Sequence, residues 1–262
     1  MKKKEKTPDE IEKELLEEAL GKIVTFLKTK KIKLSKLAGD GRTNSSKNEE
    51  EIVDSIVSFS IANDWMINNN LKIGTPNLES NNNREWYDFS IESLDTSKNN
   101  YFMPINIKVT QISNGGADNL NCKLGVFYAL TGLLPSSVGI SNEVNWKKYF
   151  KLMDEKMATN KNKDYYFLVV DKDDTSNVFY SSLKNLKSIS PNGNNLPFQC
   201  KWNDNNIRTK RTFIEARDFI LKCFKESIEK RDTTGQAFRD HMVKYIGIKT
   251  DFPIKEKEEG EY

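Results

Sequence analysis

The sequence predicts a mixed α/β domain, a central β-sheet flanked by helices. Two segments, Trp86-Tyr87-Asp88-Phe89-Ser90-Ile91-Glu92 and Met103-Pro104-Ile105-Asn106-Ile107-Lys108-Val109-Thr110, alternate polar and apolar residues and flank a polar turn, the pattern of a hairpin. Tyr165-Tyr166-Phe167-Leu168-Val169-Val170 is a short continuous apolar run, typical of a strand covered on both faces. Stretches of helical spacing precede, separate and follow these strands.

Each element has its own signal. Thr7-Pro8-Asp9-Glu10 is a helix start, with Thr as N-cap, Pro at N1 and Glu at N3; Ile11, Leu15, Leu16, Leu20, Ile23, Val24 and Leu27 then keep one face apolar. This helix either completes the core or pairs with a second copy. A second helix is expected to open at Ser46 with Glu49 as its capping partner, carrying Ile52, Val53, Ile56, Phe59 and Trp65 inward. The Asn-rich residues 68–85 read as irregular. After the hairpin come a polar glycine-containing loop (Gln111 to Asn119), an apolar helix over Leu124 to Leu134 and another helix over Asn145 to Met157. Val178-Phe179-Tyr180 is the expected neighbour of the apolar strand, and Thr212-Phe213-Ile214-Glu215 caps a late helix. The tail from Lys255 is charged.

The 262 residues suffice for one large domain or a domain with an appendage, and 37% hydrophobic content with 14 Phe, 9 Tyr and 4 Trp argues for a folded chain. A net charge of +3 leaves the question of a nucleic-acid partner to local patches. No apolar run reaches the roughly 18–20 residues that span a bilayer. The charged start Met1-Lys2-Lys3-Lys4-Glu5-Lys6 does not resemble a secretion signal, so a cytoplasmic protein with reduced thiols is expected. Cys122, Cys200 and Cys223 are widely spaced and His241 is the single histidine, which argues against a zinc site and reads the cysteines as core fillers.

Side chains two apart on a strand share a face, so Asn106 and Lys108 project together, and hairpin pairing brings Asp88 to them. A carboxylate, an amide oxygen and an ammonium then form one patch. Mg²⁺ takes hard oxygen ligands and retains several waters, so Asp88 with Asn106 Oδ1 or the Ile107 carbonyl can hold it. Lys108 then contacts a phosphate or orients a water. Hydrolysis of a phosphodiester needs this set of groups.

Asp88…Asn106-Ile107-Lys108 resembles the PD-(D/E)XK motif of type II restriction endonucleases, a strand Asp followed by (D/E)-x-K on the next strand. The resemblance covers roughly residues 45–200, and the run Ile107, Lys108, Thr110 is similar to the branch that cuts mid-site to leave blunt ends. Two positions depart from the pattern: Tyr87 stands where the motif has Pro, and Asn106 where it has an acid. The resemblance implies a restriction-endonuclease-like fold and a Mg²⁺-dependent, sequence-specific double-strand DNA endonuclease acting as a homodimer. Asp88, Asn106 and Lys108 would be catalytic, with Asp88, Asn106 and Ile107 at the metal. Glu49, on the helix before the hairpin, is the candidate for the missing acid, ahead of Glu50 and Glu92. It also implies a division into an N-terminal helical segment (1–44), a nuclease domain (45–250) and a charged tail (251–262).

For DNA, amides and carboxylates can read base edges. The candidates are Gln111, Ser113, Asn114, Asp118 and Asn119 after the second hairpin strand, otherwise a plain glycine turn, and Lys201, Arg208, Lys210 and Arg211 in a basic stretch around Trp202 that reads as a DNA-contacting loop or an ordinary solvated one. Two other functions fit the same residues: a structure-specific or repair nuclease of the same fold, and a non-catalytic DNA-binding protein in which Asn106 marks lost metal binding.

Overall fold

Thr7 starts α1 (Pro8–Lys30) as its sequence predicts: its N–H donates to Glu10 Oε2 at 2.8 Å and the Glu10 N–H donates to Thr7 Oγ1 at 3.3 Å. The computed structural model describes residues 5–30, 32–34, 41–76, 86–113, 115–231 and 235–246. Of the sequence-based candidates, Asn114 lies outside these residues, as does the tail from Lys255.

α2 (Gly41–Ile61) begins upstream of the expected Ser46 cap, so Glu49 falls within the helix rather than at its start. Trp65 is not on α2. Asn63 restarts the chain as α3 (Asp64–Asn68) by accepting the Met66 N–H at 3.1 Å, and Trp65 there lies under the Lys22 ammonium. The Asn-rich stretch contains a strand, β1 (Leu71–Gly74), which sequence had read as irregular. β2 (Phe89–Ser93) and β3 (Phe102–Thr110) form the expected antiparallel hairpin, with Phe89 opposite Ile105.

β4 (Asp118–Leu120) leads into α4 (Lys123–Thr131), and α5 (Trp146–Glu155) follows, capped by Asn145. β5 (Tyr166–Asp171) is buried along its whole length, and β6 (Val178–Ser182) pairs with it antiparallel. β7 (Ser190–Pro191), β8 (Phe198–Cys200), α6 (Trp202–Asn205), α7 (Phe213–Glu229) and α8 (Gly235–Met242) complete the chain. The cap at Thr212 forms with Glu215 as predicted.

The main sheet has the order β1-β2-β3-β5-β6, with β3 and β5 parallel and every other pair antiparallel. Parallel neighbours need a crossover, which α4 and α5 supply. Alternation along the strands sorts the core into two layers. Ile105, Ile107, Val109, Tyr166, Leu168 and Val170 pack with α1 and α2 through Leu20, Ile23, Ile52 and Ile56. Tyr165, Phe167 and Val169 pack on the other face with α4, α5, α7 and α8. α1 therefore completes the core. A small second sheet, β4-β8-β7, joins the second layer through Leu120, Phe198 and Cys200. The three cysteines are free and buried. No helix among the described residues is long and apolar enough to cross a membrane.

Candidate active site

The site forms where β2 stops and β3 continues. Beyond Phe89–Ile105 the two strands no longer pair, although β3 runs on beside β5 to Thr110. Alternate residues of a strand address the same neighbour, so Ile105 and Ile107 both turn their peptide groups toward the β2 side. The Asp88 N–H donates to Ile105 O at 2.9 Å. Its carboxylate then takes the place of the missing strand: Oδ2 accepts the Ile107 N–H at 2.5 Å. The Ile107 carbonyl addresses this same edge.

Asn106 and Lys108 lie on the opposite face from Ile105 and Ile107, in register with Phe167 and Val169 of β5. Asp88, Asn106 and Lys108 line one cavity of about 550 Å³. Its apolar side is built from Trp86, Tyr165, Phe167 and Leu124, and its polar rim from Asn119, Asn121, Lys123, Asn142 and Glu143. Trp86 is held by the Tyr165 hydroxyl, which donates to its carbonyl at 2.6 Å, and by stacking on the Tyr165 ring at 5.6 Å. This fixes the chain two residues ahead of Asp88. Gly125 lets α4 come this close, because a Cβ there would stand 2.6 Å from the Tyr165 ring.

Charge in the cavity is felt by its neighbours. Burial pushes the Cys122 thiol up to about 12, and the Lys108 ammonium offsets part of that rise. Burial likewise raises the Cys200 thiol. The Tyr165 phenol is held well above its ordinary value by burial first, then by Cys122 and the Asp88 carboxylate. The thiolate is the nucleophilic form of a cysteine, and burial disfavours it at both residues. Lys123 has its ammonium disfavoured by burial and by Arg231.

The other sequence candidates are placed differently. Glu49 is half-buried on α2, which covers the opposite face of the sheet, and is not among the residues that line the cavity. Glu92 pairs with Lys72 at 3.3 Å. Gln111 and Ser113 tie their loop to the β5–β6 turn by donating to the two Asp173 carboxylate oxygens, at 3.1 and 2.8 Å. Asp118 accepts from Trp202 Nε1 at 2.8 Å and from Thr110 Oγ1 at 3.4 Å. Trp202, at the centre of the stretch expected to contact DNA, is 2% exposed. Lys201 and Lys210 are exposed. Arg208 lies over the Tyr180 ring and 3.8 Å from Glu17 of α1. The Arg211 guanidinium donates to the carbonyls of Lys184, Leu186 and Lys187 and covers the Phe219 ring. Of the eight DNA candidates among the described residues, only Asn119 lines the cavity.

Sequence reasoning missed Lys123 and Glu143 on the rim. Lys123 had a signal, as the first residue of an apolar helix that opens toward the hairpin. Glu143 sits in a loop with no periodicity to place it.

Among the described residues, no three His, Cys, Asp or Glu side chains stand close enough together to hold a metal ion. The oxygen donors that line the cavity are instead the carboxylates of Asp88 and Glu143 and the amides of Asn106, Asn119, Asn121 and Asn142. These are hard oxygens, the ligand type that Mg²⁺ takes while keeping several waters. Compared with protein-family models and with curated proteins, the sequence matches none of either.

Proposed function

We propose that the protein is a Mg²⁺-dependent, sequence-specific double-strand DNA endonuclease with a restriction-endonuclease-like fold, acting as a homodimer. One observation carries this reading: Asp88, Asn106 and Lys108 meet in one cavity, with the Asp88 carboxylate anchored on the Ile107 N–H. The five-stranded mixed sheet with helices on both faces supports it. A homodimer matches the twofold symmetry of a palindromic site.

Asp88 and Asn106, with the Ile107 carbonyl, would hold Mg²⁺, which when bound acidifies a water ligand and polarises a phosphoryl oxygen. Asp88 is kept in position by the backbone hydrogen bond it accepts. Lys108 brings a positive charge to the scissile phosphate, offsetting the charge that builds up on its oxygens. Trp86, Phe167 and Leu124 keep bulk water from that side of the cavity and so strengthen these interactions. Asn106, where an acid is usual, makes the cation site weaker by one negative charge.

Pure protein with a mapped plasmid and Mg²⁺ tests the proposal. Discrete fragments are expected, and both Asp88→Ala and Lys108→Ala abolish them. Cutting that survives both substitutions puts the site elsewhere. The neutral Asn106 favours one second reading, a DNA-binding protein on this scaffold that no longer cuts; tight duplex binding with intact plasmid is its result. Cutting without discrete fragments indicates a structure-specific nuclease.

A further inference from the structure

We propose that Asn119 contacts a phosphate oxygen of the bound nucleic acid as a hydrogen-bond donor, its amide locked in that orientation by Asn192; this rests on the nuclease reading above. Asn192 is 9% exposed, and its Oδ1 accepts the backbone N–H groups of Asn194 and Asn195 at 3.1 and 3.0 Å. A backbone N–H only donates, so the atom it faces is the amide oxygen and the assignment of this side chain follows. Its Nδ2 is therefore the atom that meets Asn119, donating to Oδ1 at 2.6 Å. The Asn192 N–H in turn donates to Ser227 Oγ at 3.1 Å, which ties the arrangement to α7.

One amide thus orients the next. With its Oδ1 directed at Asn192, Asn119 has its Nδ2 left for the cavity it shares with Asp88, Asn106 and Lys108. Among the described residues nothing accepts from that Nδ2. Reading adenine with an Asn needs the oxygen and the nitrogen side by side, one accepting from N6 and the other donating to N7. Here the oxygen is engaged elsewhere. What remains is a donor, and the ammonium groups of Lys108 and Lys123 on the same cavity make an anionic acceptor the better partner. In DNA that acceptor is the phosphate, which positions the duplex without reading it.

The test is binding of a panel of fluorescein-labelled duplexes of differing sequence, followed by anisotropy with metal withheld so that nothing is cut. Asn119→Ala is expected to raise Kd about tenfold, by the same factor for every duplex. The salt dependence should not change, because a neutral amide displaces no counterion. Asn119→Asp weakens binding further by placing a negative charge at the phosphate. Asn192→Asp keeps the acceptor for Asn194 and Asn195 but has no donor for Asn119. The Asn119 amide then turns its nitrogen inward, and binding falls although residue 192 is not in the cavity. Loss confined to particular sequences, or Kd unchanged in Asn119→Ala, overturns the inference alone. If the unaltered chain binds no duplex, the nuclease reading falls with it. Asn119 is exposed, so its variants decide the matter even if Asn192→Asp fails to fold.

Discussion

Asp88 supports β3 in this structure and, under the proposed function, also holds a cation; substitution can separate the two. Its carboxylate is the acceptor for the Ile107 N–H at 2.5 Å, at a residue whose side chain is wholly buried and whose peptide has lost its β2 neighbour. Asp88→Ala leaves that N–H without its acceptor, at a cost of about 1–3 kcal/mol. For a chain of this size each kcal/mol lowers Tm by about 2–4 °C, so the expected drop is about 2–12 °C. Asp88→Asn retains a carbonyl oxygen at the same place and is expected to stay within about 1 kcal/mol of the unaltered protein. Neither variant carries the charge that holds a cation, so both lose Mg²⁺-dependent cutting. Scanning calorimetry without metal, repeated with rising Mg²⁺, reads both roles. Added Mg²⁺ raises Tm of the unaltered protein by mass action and leaves the two variants unmoved. An Asp88→Ala protein that melts at or above the unaltered temperature without metal shows that the carboxylate does not support β3, and the geometric basis of the site is then wrong.

Three further outcomes follow from the same structure. Asn106→Asp restores a second negative charge beside Asp88 and is expected to tighten Mg²⁺ binding about tenfold in a calorimetric titration, while lowering metal-free stability through like-charge repulsion; unchanged affinity would remove Asn106 from the cation site. Arg211→Ala loses the charge-assisted bonds to three carbonyls and the cover over Phe219, and is expected to cost about 2–3 kcal/mol in urea unfolding with no change in the salt dependence of duplex binding. A smaller salt slope instead makes Arg211 a phosphate contact. Burial lowers the Lys184 ammonium to about 8, against an ordinary value of 10.5, although Asp164 opposes the shift. Between these values the unfolded chain binds more protons than the folded one, so stability rises with pH there. The burden of the buried charge is present in full below about 8 and is relieved toward 10.5. The stability advantage of Lys184→Met over the unaltered protein should therefore shrink across that range, measured by urea midpoints at each pH. An advantage that is constant or widens contradicts the assignment.

The hairpin and its three polar residues were legible because strand alternation is a local rule: it puts Asn106 and Lys108 on one face of β3, and Asp88 directly precedes β2. The caps at Thr7 and Thr212 were legible for the same reason, since both partners lie within one turn. The small sheet was not, because strands of two or three residues carry no period, and β1 was hidden by an Asn-rich composition that disfavours strands until β2 is there to pair with. The residues expected to contact DNA show the limit most clearly. Asn119 and Arg211 look equivalent in sequence, polar residues in polar loops. Asn119 lines the cavity with its amide oxygen bonded to Asn192, whereas Arg211 is drawn inward by the carbonyls of Lys184, Leu186 and Lys187. In both cases the partner is at least 24 residues away. A polar side chain announces in the sequence what it can bond to, but its orientation depends on which partner the fold brings within reach, and that is decided by packing elsewhere in the chain.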